Sequence, residues 1–223
     1  MIVGLGSGST AKLAVDPIGK RVKEGLRIIG VPTSERTAEQ ARRLGIELST
    51  LGEYSQIDVT IDGADEVELR TLNLIKGGGG NHLREKIVAA ASSRLIIAVD
   101  QSKLVGHLGD RAKVPVEVAH FGCQATARSL AKLKATPTLR LQDNGNPFVT
   151  DGGNYILDCA FGRIASVDAL QRELDSIVGV VEHGLFIGMA SLIVIGSSEG
   201  VKRLRSRIRL SLHHSFAAWV ASL

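Results

Sequence analysis

Four short stretches of this chain concentrate the residue types that bind anions and move protons. The first is Gly4-Leu5-Gly6-Ser7-Gly8-Ser9-Thr10. Its glycines let the backbone approach a ligand, and amides at the start of a following helix favour an anion. Ser9 stands where a dinucleotide fingerprint needs its third glycine, and no Walker lysine follows. Alone, the stretch also reads as a structural turn. The second is Asp62-Gly63-Ala64-Asp65-Glu66, directly after an apolar run. Acids at the carboxyl end of a strand lie where open α/β sheets bind ligands, although Asp also caps helices and makes turns. No His or Cys accompanies them and the spacing is not a calcium loop, so the expected site holds no metal. Carboxylates of this kind suit hydroxyl recognition and proton transfer.

The third stretch is Lys76-Gly77-Gly78-Gly79-Gly80, followed by Arg84-Glu85-Lys86. Four consecutive glycines between ordered elements are expensive in backbone entropy, which favours a loop whose amides face a substrate. Lys76 is placed to neutralise developing negative charge, and Glu85, early in the next helix, can reach the same pocket. The bland alternative for Glu85 is an exposed helix carboxylate beside Lys86. The fourth is Asp100-Gln101-Ser102-Lys103, whose lysine is either a phosphate ligand or an ordinary surface residue.

The elements that must hold these groups alternate along the chain. Ile2–Leu5, Leu26–Val31, Asp58–Ile61 and Leu95–Val99 read as buried strands, with helices after Ser9, over Thr37–Leu44 and over Leu83–Ser93. Continuous apolar strands separated by helices indicate an α/β fold, a mostly parallel Rossmann-like sheet with helices on both faces. From about Val114 the rhythm changes. Strands are expected at Pro115–Ala119, Leu139–Leu141 and Tyr155–Cys159, and helices at Ala125–Lys134 and Val167–Ile177. The expected organisation is a discontinuous catalytic domain over 1–114 and 180–205, a smaller α+β domain over 115–179, and an atypical tail over 206–223. Val180–Phe186 and Leu192–Gly196 are read as a return to the first domain's buried strands.

Bulk properties narrow the function classes. Hydrophobic residues make up 44% and charged residues 22% of 223, an ordinary globular mix, and no apolar stretch is long enough to cross a bilayer. The start of the chain has no basic segment ahead of its apolar residues, and Cys123 and Cys159 lack metal or redox spacing; a cytoplasmic protein is expected. The formal charge of +4 belongs to the end of the chain. Beyond Glu199 stand five basic residues and no acid, leaving 22 basic against 23 acidic residues through Glu199. With aromatics at 4%, no nucleic-acid partner is expected.

Taken together and in this order, the four stretches resemble the type A ribose-5-phosphate isomerases. Pro115-Val116-Glu117-Val118, Thr150-Asp151-Gly152-Gly153-Asn154 and Gly179-Val180-Val181-Glu182-His183-Gly184-Leu185-Phe186 extend the resemblance over residues 2 to about 203. It implies interconversion of ribose 5-phosphate and ribulose 5-phosphate, without cofactor, usually by a homodimer. Carried over, Glu85 is the base moving a proton between C2 and C1 and Lys76 stabilises the enediolate. Asp62 and Asp65 engage sugar hydroxyls and assist ring opening. Ser7, Gly8, Ser9, Thr10, Gly63, Ala64, Gly77, Gly78, Gly79 and Lys103 hold the sugar phosphate.

The chain departs from that pattern in three places. It enters its first strand almost at once, where the family has a helix, and this is expected to leave apolar surface around Ile2–Leu5 uncovered. Asn81-His82 replaces a small or apolar pair, and Ser206–Leu223 matches nothing in the family. Two other readings accompany the enzyme: a sugar-phosphate sensor of similar fold, which needs no Lys76–Glu85 pair, and a decayed isomerase. A related amino-sugar phosphate deaminase lacks its expected histidine pattern here.

Overall fold

The protein is described from a computed structural model covering residues 1–205; the tail over 206–223, with His213, His214 and Trp219, lies outside the described residues. Its largest sheet has seven strands. At the centre, β1 (Ile2–Leu5) lies between β2 (Ile29–Pro32) and β4 (Val59–Asp62). β3 (Glu47–Leu48) flanks β2, while β7 (Leu95–Asp100), β14 (Leu192–Ser197) and β15 (Gly200–Arg205) follow β4 outward. The pairings are parallel except that of β15 with β14.

Alternation along β1 decides which helix covers which face. Val3 and Leu5 are buried in one cluster with Val15 of α1 (Gly8–Lys23) and Ala41 of α2 (Glu35–Arg43). On the opposite face, a side chain at Gly4 would collide with Val88 of α3 (His82–Ala90). The expected α/β class with helices on both faces is therefore what the chain adopts. Val3 and Leu5 are buried, so the expectation of an uncovered first strand is corrected: α1 and α2 cover it.

A second, antiparallel sheet runs β10 (Thr136–Leu139), β11 (Tyr155–Ala160), β9 (Val114–Val118), β12 (Val180–His183). Leu130 of α4 (Cys123–Lys132) and Leu170 and Leu174 of α5 (Val167–Asp175) pack on its inner face with Val116 and Leu157. A third sheet of very short strands joins the other two: β13 (Leu185–Phe186), β6 (Leu74–Ile75), β5 (Glu66–Glu68), β8 (Leu104–Val105).

Several strand expectations need correction. Val180–Phe186 is not one buried strand of the larger sheet. Gly184 divides it, β12 forming the edge of the antiparallel sheet and β13 joining β6. Its burial shows why: Val181 is exposed, as on a half-covered edge strand, whereas Leu185 and Phe186 are buried on both sides. The strand expected at Leu139–Leu141 ends at Leu139, because Leu141 is exposed in a turn-rich loop. The strand expected from Leu26 begins at Ile29, after α1 and its Gly25 turn.

Candidate active site

Strand order reverses between β1 and β4, β1 leading to β2 and β3 on one side and β4 to β7 and β14 on the other. At such a switch point the loops leaving the carboxyl ends diverge and open a crevice. Both of the first two stretches lie there. Gly6 donates to the Ile61 carbonyl at 2.9 Å, and the amides of Ser7 and Gly63 donate to Asp62 Oδ1 at 3.2 and 2.8 Å. A Cβ on Gly6 would stand 2.2 Å from Asp62 Oδ1, so only glycine permits this approach. The Thr10 side chain passes within 3.4 Å of where a Cβ on Gly63 would lie.

Lys76, at the end of β6, runs into this junction. Its Nζ donates to the Gly63 carbonyl at 2.7 Å and lies 3.0 Å from Asp62 Oδ2 and 3.0 Å from Glu85 Oε2. The three side chains are almost completely enclosed, with Asp62, Lys76 and Glu85 exposed by 1, 3 and 4%. Glu85 Oε2 is paired with the ammonium and has no other polar partner. The expectation that Glu85 is an exposed helix carboxylate is thereby excluded.

One cation between two buried carboxylates sets the electrostatics. Burial, reinforced by the charge of Asp62 and opposed by Lys76, raises the pKa of Glu85 to about 8. Burial also raises Asp62, against the pull of Lys76 and of the Gly63 and Ser7 amides. Burial pulls Lys76 down, yet the two acids outweigh it and hold its pKa above the ordinary value. The ammonium stays charged, and Glu85, with its pKa pushed up to about 8, can both take and return a proton near neutrality.

The glycine loop is fastened on two sides. Gly78 donates to Asp65 Oδ2 at 2.7 Å, which ties the loop to the acidic turn. Arg140, held by Asp158, donates to the carbonyls of Gly77 and Gly78 at 2.8 and 3.1 Å. Gly77 adopts φ +103, and a Cβ there would lie 2.7 Å from His82 Nδ1. Asp62, Asp65, Gly63, Lys76, Gly77, Gly78 and Glu85 are thus brought together, with Ser7 and Thr10 alongside.

Lys103 sits at the same edge of the sheet, in a 3-10 turn after β7 that Asp100 caps by accepting from the Ser102 amide at 2.7 Å. No hydrogen bond or ion pair among the described residues links Lys103 to the buried trio. Glu66, the third acid of its stretch, is turned away. Its carboxylate accepts the amides of Gly109, Arg111 and Ala112 at 2.7, 2.6 and 2.6 Å and anchors their loop.

A cluster of hydroxyls escaped the sequence analysis. Ser7 Oγ lies 2.6 Å from Thr33 Oγ1 and donates to Ser34 Oγ at 2.9 Å, and Ser34 caps α2 by accepting from the Thr37 amide. Ser7 therefore gives α1 no side-chain cap, and the first amides of that helix keep their donors for an anion. A Thr-Ser pair between an apolar strand and a helix was the available signal. Two surface hollows lie beside the trio without including it. A crevice of about 10 Å³ lies between Arg84, Glu117 and Thr150, and a shallow hollow of about 630 Å³ lies beside Leu141 and Phe148.

Residues 29–200 match the family model described as ribose 5-phosphate isomerase A (phosphoriboisomerase A). The chain is 59% identical over 204 residues to ribose-5-phosphate isomerase A of Gloeobacter violaceus, covering 92% of this chain and 88% of that protein. The corresponding protein of Thermomicrobium roseum is 54% identical over 208 residues, covering 93 and 88%. Among solved structures, ribose 5-phosphate isomerase A of Methanocaldococcus jannaschii superposes with a TM-score of 0.89 at 41% identity, over 92% of this chain and 91% of that one. A D-ribose-5-phosphate isomerase in complex with phospho-erythronic acid gives a TM-score of 0.89 at 38% identity, covering 92 and 90%.

Proposed function

The chain belongs to the ribose 5-phosphate isomerase A family, and on that footing we propose that Glu85 and Lys76 carry its interconversion of D-ribose 5-phosphate and D-ribulose 5-phosphate. The observation that carries this reading is the buried Lys76 ammonium 3.0 Å from both Asp62 and Glu85 at the switch point. In the open-chain aldose, Glu85 removes the proton from C2 and the electron pair moves into an enediolate. Lys76 stands where the oxyanion forms. The C1 oxygen gains a proton, the C2 hydroxyl loses one, and Glu85 returns its proton to C1. Asp62 and Asp65 engage the hydroxyls and assist ring opening. The amides of Gly8, Ser9 and Thr10 with Lys103 take the phosphate, while Gly63, Ala64 and Gly77 to Gly79 line the sugar. The residues present supply base, cation and anion donors, which is all that proton transfer next to a carbonyl requires.

Two coarser features complete the reading. The free, buried thiols of Cys123 and Cys159 support a cytosolic setting; among the described residues no helix is long and apolar enough to cross a membrane. A homodimer is favoured by Phe121 and Val178, exposed by 96 and 95% at the same end of the β9–β12 pair.

The test is Glu85→Gln, which keeps shape but cannot accept the C2 proton. Its kcat is expected to fall by about a hundred- to ten-thousand-fold while sugar-phosphate binding survives. Asp62→Asn and Asp65→Asn, assayed with ring-opened substrate, should recover part of their loss. Near-normal turnover in Glu85→Gln would remove the base from its role.

A further inference from the structure

Lys86 follows Glu85 directly in α3, and the step of roughly 100° between neighbours on a helix turns it away from Asp62 and Lys76. It is nonetheless mostly enclosed, with 15% of its side chain exposed. Its Nζ donates to Glu182 Oε1 and to the His183 carbonyl at 2.6 Å each, and lies 3.3 Å from His183 Nδ1. Asp175, Glu182 and His183 place ligand atoms within 4.8 Å of one another, a grouping able to hold a metal ion. Here the ammonium of Lys86 already serves as the cation of that group. His183 Nδ1 accepts the Leu185 amide at 3.2 Å, which puts the ring proton on Nε2, facing Asp175 Oδ1 at 3.1 Å. The imidazole is neutral, its pKa pushed down to about 4 by burial and by the charge of Lys86.

The segment that Lys86 grips also holds Lys76. The Lys76 amide donates to the Gly184 carbonyl at 2.9 Å, and β13 pairs with β6, which leads straight into Lys76. The ring of Phe186, fully buried, has the Lys86 ammonium 5.1 Å and the Lys76 ammonium 5.4 Å from its centroid. Residues 182–186 are therefore common ground, joined through Lys86 to the helix of one candidate catalytic residue and through Gly184 and Phe186 to the other.

We propose that Lys86 is a positioning residue for the proton transfer: through Glu182, the His183 carbonyl and Phe186 it sets the rotation of α3 and hence the gap between Glu85 and Lys76. The proposal rests on the reading of Glu85 as the base. Of the other groups on α3, buried Val88 and Ala89 make apolar contacts that carry no direction, buried His82 makes no side-chain hydrogen bond, and Arg84, which bonds Glu35 and the Asp151 carbonyl, is more than a third exposed. Charge-assisted bonds do carry direction, and they resist rotation of the helix. A displacement of about 1 Å between reacting groups can cost about a hundredfold in rate.

The experiment compares the full chain with Lys86→Met, Glu182→Gln and the double variant on ribose 5-phosphate and its C2-deuterated form. Folded fraction is measured by near-ultraviolet circular dichroism. Per folded molecule, Lys86→Met is expected to lose about 10- to 100-fold in kcat with KM within about threefold. Its deuterium effect on kcat should exceed that of the parent, because proton transfer has become slower. Glu182→Gln should move the same way by less, and the double variant should be no worse than Lys86→Met. An unchanged kcat per folded molecule, an unchanged deuterium effect, or losses that simply add would overturn the proposal. Should Lys86→Met not fold, Glu182→Gln decides by the same readouts. A parent that does not turn over, or a fully active Glu85→Gln, would overturn the base and this inference together, a pattern distinct from a working base with a silent Lys86.

Discussion

Two carboxylates share one lysine in the buried trio, and the titration of Glu85 follows from that arithmetic. With its pKa at about 8, Glu85 is largely protonated at neutral pH in the free enzyme, and only the ionised fraction can take the C2 proton. The sign is therefore positive: kcat/KM should rise with pH, roughly tenfold per unit well below pH 8, and level above it. A profile measured from pH 6 to 9.5 checks this, and a plateau already reached at pH 6 would exclude Glu85 as the titrating base. His82 presents the opposite case. It is wholly buried beneath the glycine loop, neither ring nitrogen has a hydrogen-bond partner, and the backbone of Glu182 approaches without bonding geometry. Burial and the charge of Lys86 push its pKa down to about 3, so it is neutral. An unsatisfied buried polar group costs about 1–3 kcal/mol. His82→Leu, similar in volume and apolar, should raise the melting temperature by several degrees with KM little changed, as calorimetry and a standard assay would show.

At the scale of elements, Glu66 illustrates how an acid in a catalytic-looking cluster becomes structural. It lies on β5, buried along its whole length, and its carboxylate gathers three backbone amides from the loop over 109–112. Each such bond to a charged acceptor is worth about 1.5–3 kcal/mol. Glu66→Ala should therefore destabilise by on the order of 3 kcal/mol or more, read as a fall in the urea midpoint. The remaining folded protein should keep most of its kcat. A collapse of kcat at full stability would place Glu66 in the chemistry instead. The division of 180–186 at Gly184 has a similar origin. A Cβ there would lie 2.2 Å from the Lys76 carbonyl, so glycine is what lets one chain segment pass from the edge of one sheet into another while touching the backbone of Lys76.

For the whole molecule, the seven-stranded sheet supplies the crevice and the antiparallel sheet supplies what closes it. Arg84 on α3 pairs with Glu35 at the start of α2 at 2.9 Å and donates to the Asp151 carbonyl at 3.1 Å, while Asp151 accepts the Glu35 amide at 2.9 Å. Three elements distant in sequence meet there beside the candidate phosphate-binding amides. The proposed homodimer makes its prediction at this scale. Static light scattering is expected to give twice the 23.7 kDa chain mass, and Phe121→Glu should shift the population toward monomer. A parent monomer at micromolar concentration, or a dimer indifferent to Phe121, would count against this assembly.

The sequence by itself determined the kind of fold, because buried parallel strands and their helices leave periodic apolar runs that are read locally. It also singled out the candidates for the chemistry: a lysine before consecutive glycines, acids after a strand and Glu85 early in a helix are legible without coordinates. Tertiary structure alone decided how these groups relate. The burial that raises Glu85, the sharing of Lys76 between Asp62 and Glu85, and the diversion of Glu66 depend on contacts between strands far apart in sequence. So do the Ser7–Thr33–Ser34 hydroxyl cluster and the grip of Lys86 on Glu182, 96 residues away. A pKa, an ion pair and a helix rotation are set by what surrounds a side chain in space, and neighbours along the chain do not specify that.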